Sequence, residues 1–241
     1  MLVKSQGIIL RSLKYGETSL IMDIYTREYG LNSYILGGVR NKKSKTQAGL
    51  CQIMSLVQIV AYHKNTKSLF RIKEVSSEHL YQRIPFEILR SSVGMFMIEI
   101  VKNSIREDEE NEALFDFIAD WFKFLDQSQN SINNAHLLFM LELSEHIGIQ
   151  PRDNYSVNNP YFDLMEGQFT SSIPNHRYFL DPGEAEQLYD LMMQERDYIH
   201  ELSLTNRQRR ILLDKLILFY KLHIDTIKEL HTYNILNEIL S

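Results

Sequence analysis

Residues Gly7–Gly38 read GIILRSLKYGETSLIMDIYTREYGLNSYILGG. Three apolar runs lie in it: GIILRSL, SLIMDIYT and NSYILGG. Tyr15-Gly16-Glu17 and Glu28-Tyr29-Gly30 separate them, and both carry turn chemistry. Ile, Tyr and Leu dominate the runs, and part of each alternates with period two, as strands with one buried face do. Further on, LVQIVAYH and SLFRIKEV read as two more strands, with breaks at Gly37-Gly38 and Lys64-Asn65-Thr66. Five short strands in about 80 residues predict a small closed barrel, with the strand count and size of the oligonucleotide-binding (OB) fold.

From Pro85 the period changes to that of helices. PFEILRSSVGMFMIEIVKNSIRE starts with Pro at an expected first helical position. A second helix is predicted over 111–127, where Leu114, Phe115, Ile118, Trp121, Phe122 and Leu125 keep i, i+3, i+4 spacing. A third is predicted over 134–147, stopped by Gly148. Residues 149–180 hold Pro, Asn, Gly and Ser clusters and predict an irregular segment with a small hairpin. Asp181-Pro182-Gly183-Glu184 has the order of a capped helix start, and Thr205 is placed to cap the next helix. The body of that helix, Ile211 to Ile224, is apolar on nearly every side and is expected at the centre of a helical domain.

The stretch GGVRNKKSKTQ (Gly37–Gln47) puts Arg40, Lys42, Lys43 and Lys45 within six residues, in a chain whose net charge is −5. Residues 1–80 hold 12 Lys and Arg against 5 Asp and Glu, net +7; the rest holds 14 against 26, net −12. Such a division of sign points to a polyanionic partner for the first part. Cations on a glycine-led loop can follow a phosphate chain; the plainer alternative is a solubilising loop. The spacing is not GxxxxGK[ST], so a nucleotide-triphosphate loop is excluded. Arg11, Lys14 and Arg27 extend the basic set. Tyr15 and Tyr29, next to turn glycines, are the rings placed to stack on unpaired bases, while other strand aromatics are expected in the core.

Arg207, Arg209 and Arg210 open the late helix, where the helix dipole disfavours cations. The misfit is met by a DNA phosphate, an acidic peptide tail or the protein's own acidic face. The acidic run REDEENE (Arg106–Glu112) reads as a solvated junction. Glu142 and His146 share a helix face without a third ligand, so pairing is favoured over metal binding. The chain has no GxSxG, HExxH or GxGxxG. A non-enzymatic binding protein with no cofactor and no small-molecule substrate is expected. The one cysteine, Cys51, sits in AGLCQIMSL and is expected as a buried structural thiol. No apolar run approaches the roughly 18 residues of a membrane span. MLVKSQGIILRS lacks a cleavable signal pattern. A cytoplasmic protein without a membrane partner is expected.

The whole chain resembles the RecO family of recombination-mediator and DNA-repair proteins. The stretches that carry the resemblance are GIILRSLKYGETSLIMDIYTREYGLNSYILGGVRNKKSK and RQRRILLDKLILFYKLHI. The resemblance implies a barrel that binds single- and double-stranded DNA, with Arg40, Lys42, Lys43 and Lys45 matching its basic loop. It implies strand annealing and, with RecR, loading of the RecA recombinase onto strands coated by single-strand-binding protein. It further implies a pocket in the helical domain for the acidic, apolar C-terminal tail of that protein, for which Arg207, Arg209 and Arg210 are candidates. RecF is a further implied partner, and the implied place is the nucleoid. Many family members carry two cysteine pairs in the segment matching 150–180. Here that segment has none, so no zinc site is expected, and Tyr161, Phe162, Leu164, Phe169, Tyr178 and Phe179 are expected to hold it by apolar packing.

The expected fold is α+β: an N-terminal five-stranded OB barrel over 1–80, then an all-helical domain over 81–241 containing the irregular segment 149–180. The alternative to a recombination mediator is a sequence-specific duplex DNA-binding transcription regulator that reads a groove with the Arg207–Arg210 helix. A nucleic-acid-modifying enzyme would need a clustered acid, His or metal site.

Overall fold

The computed structural model describes residues 1–39, 49–63, 69–105, 110–227 and 229–240. Five strands come first: β1 (Leu2–Tyr15), β2 (Ser19–Thr26), β3 (Gly30–Leu36), β4 (Leu56–Tyr62) and β5 (Leu69–Ser77). They close into a barrel in the order β1-β2-β3-β5-β4. The seam between β3 and β5 is parallel, with Tyr34 opposite Phe70 and Ile35 opposite Arg71. The other pairs are antiparallel.

Strand β1 serves two neighbours. Its first half pairs with β4 from Leu2↔Tyr62 to Ile8↔Leu56, and its second half pairs with β2 up to Tyr15↔Ser19. A register shift between Ile9 and Arg11 marks the bend that lets one strand close both sides. At the crossing, a Cβ on Gly7 would meet Ile24 Cγ2 at 2.6 Å, so only glycine fits. The strand begins five residues before the expected GIILRSL. Val3 is buried as alternation requires, but buried Ser5 interrupts the apolar pattern; its hydroxyl is satisfied by Glu28 and by the carbonyl of Gln6. Inside the barrel, Ile9, Met22, Ile24, Tyr34, Ile59 and Ala61 form the centre of the core.

The helices are α1 (Ile88–Ser104), α2 (Glu112–Gln127), α3 (Ala135–His146), α4 (Pro182–Met192), α5 (Asn206–His223) and α6 (Thr232–Ile239), with a 3-10 turn at Arg196–Glu201. A small sheet, β7-β6-β8, is built from β6 (Tyr161–Asp163), β7 (Gln168–Thr170) and β8 (Phe179–Leu180). Among the described residues no helix is long and apolar enough to cross a membrane.

The chain divides into two compact units that do not follow its order. One is Met1–Pro85 with Arg106–Asp126; the other is Phe86–Ile105 with Gln127–Ser241. A boundary between 80 and 81 therefore differs from the contacts, because most of α2 belongs with the barrel. Three features hold it there. The Phe115 ring lies 6.2 Å from that of Tyr25. Arg27 forks onto Asp116 through two bonds of 2.9 Å and reaches Glu112 at 2.8 Å. At the other end of the helix, the carboxylate of Asp126 accepts the backbone N–H groups of Gln82, Arg83 and Ile84 at 2.8–3.0 Å. Residues 84–86 form a turn that starts at the last of these donors. Helix α1 accordingly starts at Ile88, beyond the expected Pro85.

In the second unit, both expected caps form. Asp181 and Glu184 make a capping box with Pro182 in the first turn, and Thr205 and Gln208 make another. Helix α5 buries Leu212, Leu213, Leu216, Phe219 and Tyr220, and the Tyr220 hydroxyl donates to the carbonyl of Met140 at 2.6 Å. Helix α6 has no strong sequence signal. Its N-terminus is held by Glu99 of α1, which accepts from the N–H groups of His231 and Thr232 at 2.9 and 2.8 Å. The 149–180 segment packs through rings: Phe162 on Phe169 at 4.8 Å and Tyr155 on Tyr189 at 4.5 Å, with Phe162, Leu164 and Phe169 buried.

Asp126 is 1% exposed. Burial raises its pKa, but the backbone donors outweigh burial and hold it below the usual carboxylate range. Its folded pKa is depressed, so its contribution is present above about pH 4 and is lost as pH falls through the folded value. Asp126→Ala orphans three N–H groups and is expected to cost about 3 kcal/mol or more. Urea unfolding at pH 7 measures this; an unchanged midpoint would remove the carboxylate from the account of the barrel unit.

Candidate nucleic-acid interface and helical pocket

The four loop cations Arg40, Lys42, Lys43 and Lys45 lie outside the described residues. The other barrel candidates are placed, and they differ in availability. Lys14 and Tyr15 end β1 and are exposed, Tyr15 at 55%. Arg11 is half-exposed but donates to both carboxylate oxygens of Asp23, at 2.5 and 3.1 Å, and Ser33 donates to the same group. This partner raises the guanidinium pKa of Arg11.

Arg27 has a different use from the expected one. Its hydrogen bonds to Asp116, with the nearby charge of Glu112, raise its pKa further. The group is a strut between the β2–β3 turn and α2, and a phosphate would have to compete with two acids. Tyr29 is also committed internally. Its ring lies 4.6 Å from that of His63, which stacks face to face on Phe70 at 4.0 Å, and the Tyr34 hydroxyl is 3.0 Å from His63 Nε2. Tyr29, Tyr34, His63 and Phe70 thus form one cluster of rings, of which Tyr34 and Phe70 belong to the barrel core. Burial lowers the pKa of His63, with a smaller effect from the N-terminal charge.

Register reveals residues that sequence reading did not single out. Leu13 pairs with Ile21, Ile21 with Ile35, and Ile35 with Arg71. The neighbouring Leu20, Tyr34, Leu36 and Phe70 point inward and are buried, so this row points outward. Arg71 is exposed and forms no ion pair among the described residues. The signal was present as alternation in SLFRIKEV, but only strand pairing joins Arg71 to Leu13.

The three late arginines split. Arg207 and Arg210 are exposed, whereas Arg209 is 6% exposed. The Arg209 guanidinium is satisfied by neutral acceptors: Asn134 Oδ1 at 2.9 Å, Asn206 Oδ1 at 2.8 Å and the carbonyl of Leu204 at 3.0 Å. Burial lowers its pKa. Beside it is a cavity of about 210 Å³ lined by His136, Asn206, Arg207, Arg209, Arg210, Leu213, Asn237 and Leu240. His136 is fully buried, and among the described residues neither of its ring nitrogens has a hydrogen-bond partner. Burial first, and the charge of Arg209 second, push its pKa down to about 3. The cavity thus joins a first helical turn, three arginines and apolar walls, an arrangement suited to a carboxylate attached to an apolar side chain.

An oligonucleotide-binding type of barrel joined to a helical unit defines a class of nucleic-acid-handling proteins, and both halves match family models. Residues 1–81 match "Recombination protein O N terminal" and residues 85–231 match "Recombination protein O C terminal". The chain belongs to the RecO family, whose role is in DNA repair and recombination. Among proteins named DNA repair protein RecO, that of Phocaeicola vulgatus is 32% identical over 241 residues, covering 100% of both chains. That of Bacteroides fragilis is 33% identical over 99% of both, and that of Flavobacterium johnsoniae is 33% identical over 100% of both.

The buried imidazole makes a measurable prediction. The folded pKa of His136, about 3, lies below its unfolded value of about 6.5, so neutral His136 stabilises above pH 6.5 and that stability is lost as pH falls toward 3. Between pH 6.5 and 5 the loss is about 2 kcal/mol. Urea midpoints across this range should fall more steeply for the native chain than for His136→Leu; parallel curves would contradict the burial.

Proposed function

We propose that this protein is a non-enzymatic recombination mediator. The barrel unit binds the backbone of single- and double-stranded DNA, and the helical unit holds the acidic C-terminal tail of single-strand-binding protein. With RecR, and with RecF as a further partner, it helps load RecA onto the coated strand. By neutralising phosphates on two strands it also lets complementary strands approach and anneal. The observation that carries this reading is the match of both RecO family models across nearly the whole chain.

The chemistry is electrostatic on the barrel. Arg40, Lys42, Lys43 and Lys45 release counterions as they meet phosphates. Four such contacts predict roughly a 100-fold loss of affinity between 50 and 200 mM salt. Anisotropy with single-stranded DNA of random sequence should show this slope in the native chain and a large loss in a variant with all four changed to Glu. Equal binding by both would exclude the loop.

In the helical unit, the tail's terminal carboxylate meets Arg207 and Arg210, and its apolar end enters the cavity beside Leu213 and Leu240. A synthetic tail peptide should bind the native chain, and Arg207→Glu/Arg210→Glu should weaken it roughly tenfold, the scale of a lost charge-assisted contact. Unchanged binding would move the tail elsewhere. Reading of duplex sequence by α5 is not favoured, because that helix buries its apolar residues and Arg209.

A further inference from the structure

We propose that His136 makes the helical cavity select a carboxylate: its buried imidazole donates to one oxygen of the peptide tail's terminal carboxylate, while Arg207 and Arg210 hold the other. This rests on the reading of the cavity as the tail's binding site and goes beyond it. Arginines at a rim attract any anion, whereas an imidazole inside fixes where the carboxylate lies.

His136 sits in the first turn of α3 and is 0% exposed. The ring of Phe96 meets it from α1 in a T-shaped contact, with centroids 6.1 Å apart. Burial and the charge of Arg209 keep the imidazole neutral, so one ring nitrogen carries a proton and the other is bare. Among the described residues neither nitrogen has a hydrogen-bond partner. A buried donor without an acceptor is costly, and such groups are few in folded interiors. This one stands on the wall of a space that a ligand can occupy.

Size and charge name the group that fits. A round cavity of about 210 Å³ is about 7 Å across, and a carboxylate with hydrogen bonds of about 2.9 Å on both sides bridges about 8 Å. One oxygen can therefore reach His136 while the other meets the arginines. Among the described residues no acid lines the cavity. Arg209 is satisfied by neutral oxygens, so its charge is not cancelled. The first acid further along α3, Glu142, pairs with Arg196 at 2.9 Å, and Glu99 of α1 holds the start of α6. The anion therefore comes from outside. A neutral carbonyl would satisfy the imidazole and leave the arginine charge unmet. A nucleic-acid phosphate would meet the charge but brings a sugar to the apolar wall of Leu213 and Leu240. A carboxylate on an apolar terminal residue satisfies all three.

The test is a cycle between residue and ligand. The native full-length chain, His136→Leu and His136→Gln are titrated at neutral pH with two labelled synthetic peptides, read by anisotropy. One is the acidic, apolar tail; the other is its descarboxy form, in which hydrogen replaces the terminal carboxylate. His136→Leu should lose roughly tenfold on the tail and stay within about twofold on the descarboxy peptide. His136→Gln, which returns a neutral N–H, should recover most of that loss. Thermal melting checks that each variant folds. Imidazole NMR signals of the native chain give a reading that needs no variant: the His136 N–H should shift downfield with the tail and not with the descarboxy peptide. Equal losses by His136→Leu on both peptides would make the imidazole a support of the cavity wall and overturn the proposal while leaving the tail site standing. Unchanged or tighter binding of the tail by His136→Leu would place the apolar side chain against it, with the same consequence. A loss that His136→Gln does not recover would overturn hydrogen donation. Failure of the native chain to bind the tail would overturn the reading of the cavity as well.

Discussion

The buried carboxylate of Asp126 sets how the chain is partitioned. It stands at the C-terminal end of α2, where the helix dipole disfavours a negative charge, and it is removed from water. Both penalties are offset by backbone donors of Gln82, Arg83 and Ile84. The strand-rich chain therefore cannot leave the barrel in an arbitrary direction: its exit is tied to a helix some 40 residues later. Arg27 performs the matching task at the other end of α2. Between these polar anchors, Phe115 packs against Tyr25. Apolar burial supplies much of the stabilisation, while the two charged anchors set the helix's register on the barrel.

This attachment changes the charge argument. The net +7 of residues 1–80 belongs to a stretch of chain, not to a folded body. Residues 106–126 bring two bases and eight acids into the barrel unit and Arg83 adds one base, which leaves that unit at +2. A diffuse excess of this size would steer DNA weakly. What matters is local distribution. The acids Glu112 and Asp116 face Arg27, whereas Lys14 and Arg71 lie on strands away from that end. Screening over about 10 Å at 0.1 M salt separates the influence of such regions. Within the barrel unit, Glu112, Asp116 and Asp126 are engaged in holding α2.

Much of this was legible in the sequence, and the reasons are local. Alternation and turn glycines gave five strands; Asp181-Pro182-Gly183-Glu184 and Thr205 marked two helix starts that form as read. What was not legible depends on residues distant in the chain. Arg27 looked like a DNA contact because its partners, Asp116 and Glu112, lie more than eighty positions away in a different type of element. Tyr29 read as a ring for stacking on bases because it adjoins a turn glycine, yet it packs on His63, which stacks on Phe70. Arg71 and Leu13 were unremarked because neither is unusual alone; pairing across β2 and β3 makes them neighbours. Helix α6 was missed because its start is fixed by Glu99 of α1 and not by a cap of its own.

The late arginines show the same limit from the other side. Arg207, Arg209 and Arg210 lie at the start of α5, where the helix dipole disfavours cations, and the three have different surroundings. Arg209 is buried among neutral oxygens and has no carboxylate partner among the described residues. Neutral acceptors satisfy its hydrogen-bonding capacity without cancelling its charge. That residual field is felt by His136, whose protonation it opposes. The same field favours a carboxylate in the adjoining cavity, with Arg207 and Arg210 at its rim. An internal acid at this point would stabilise the helix more but would close the cavity to an anion from outside. The absence of that internal compensation is therefore the physical basis for expecting the charge to be met by a partner.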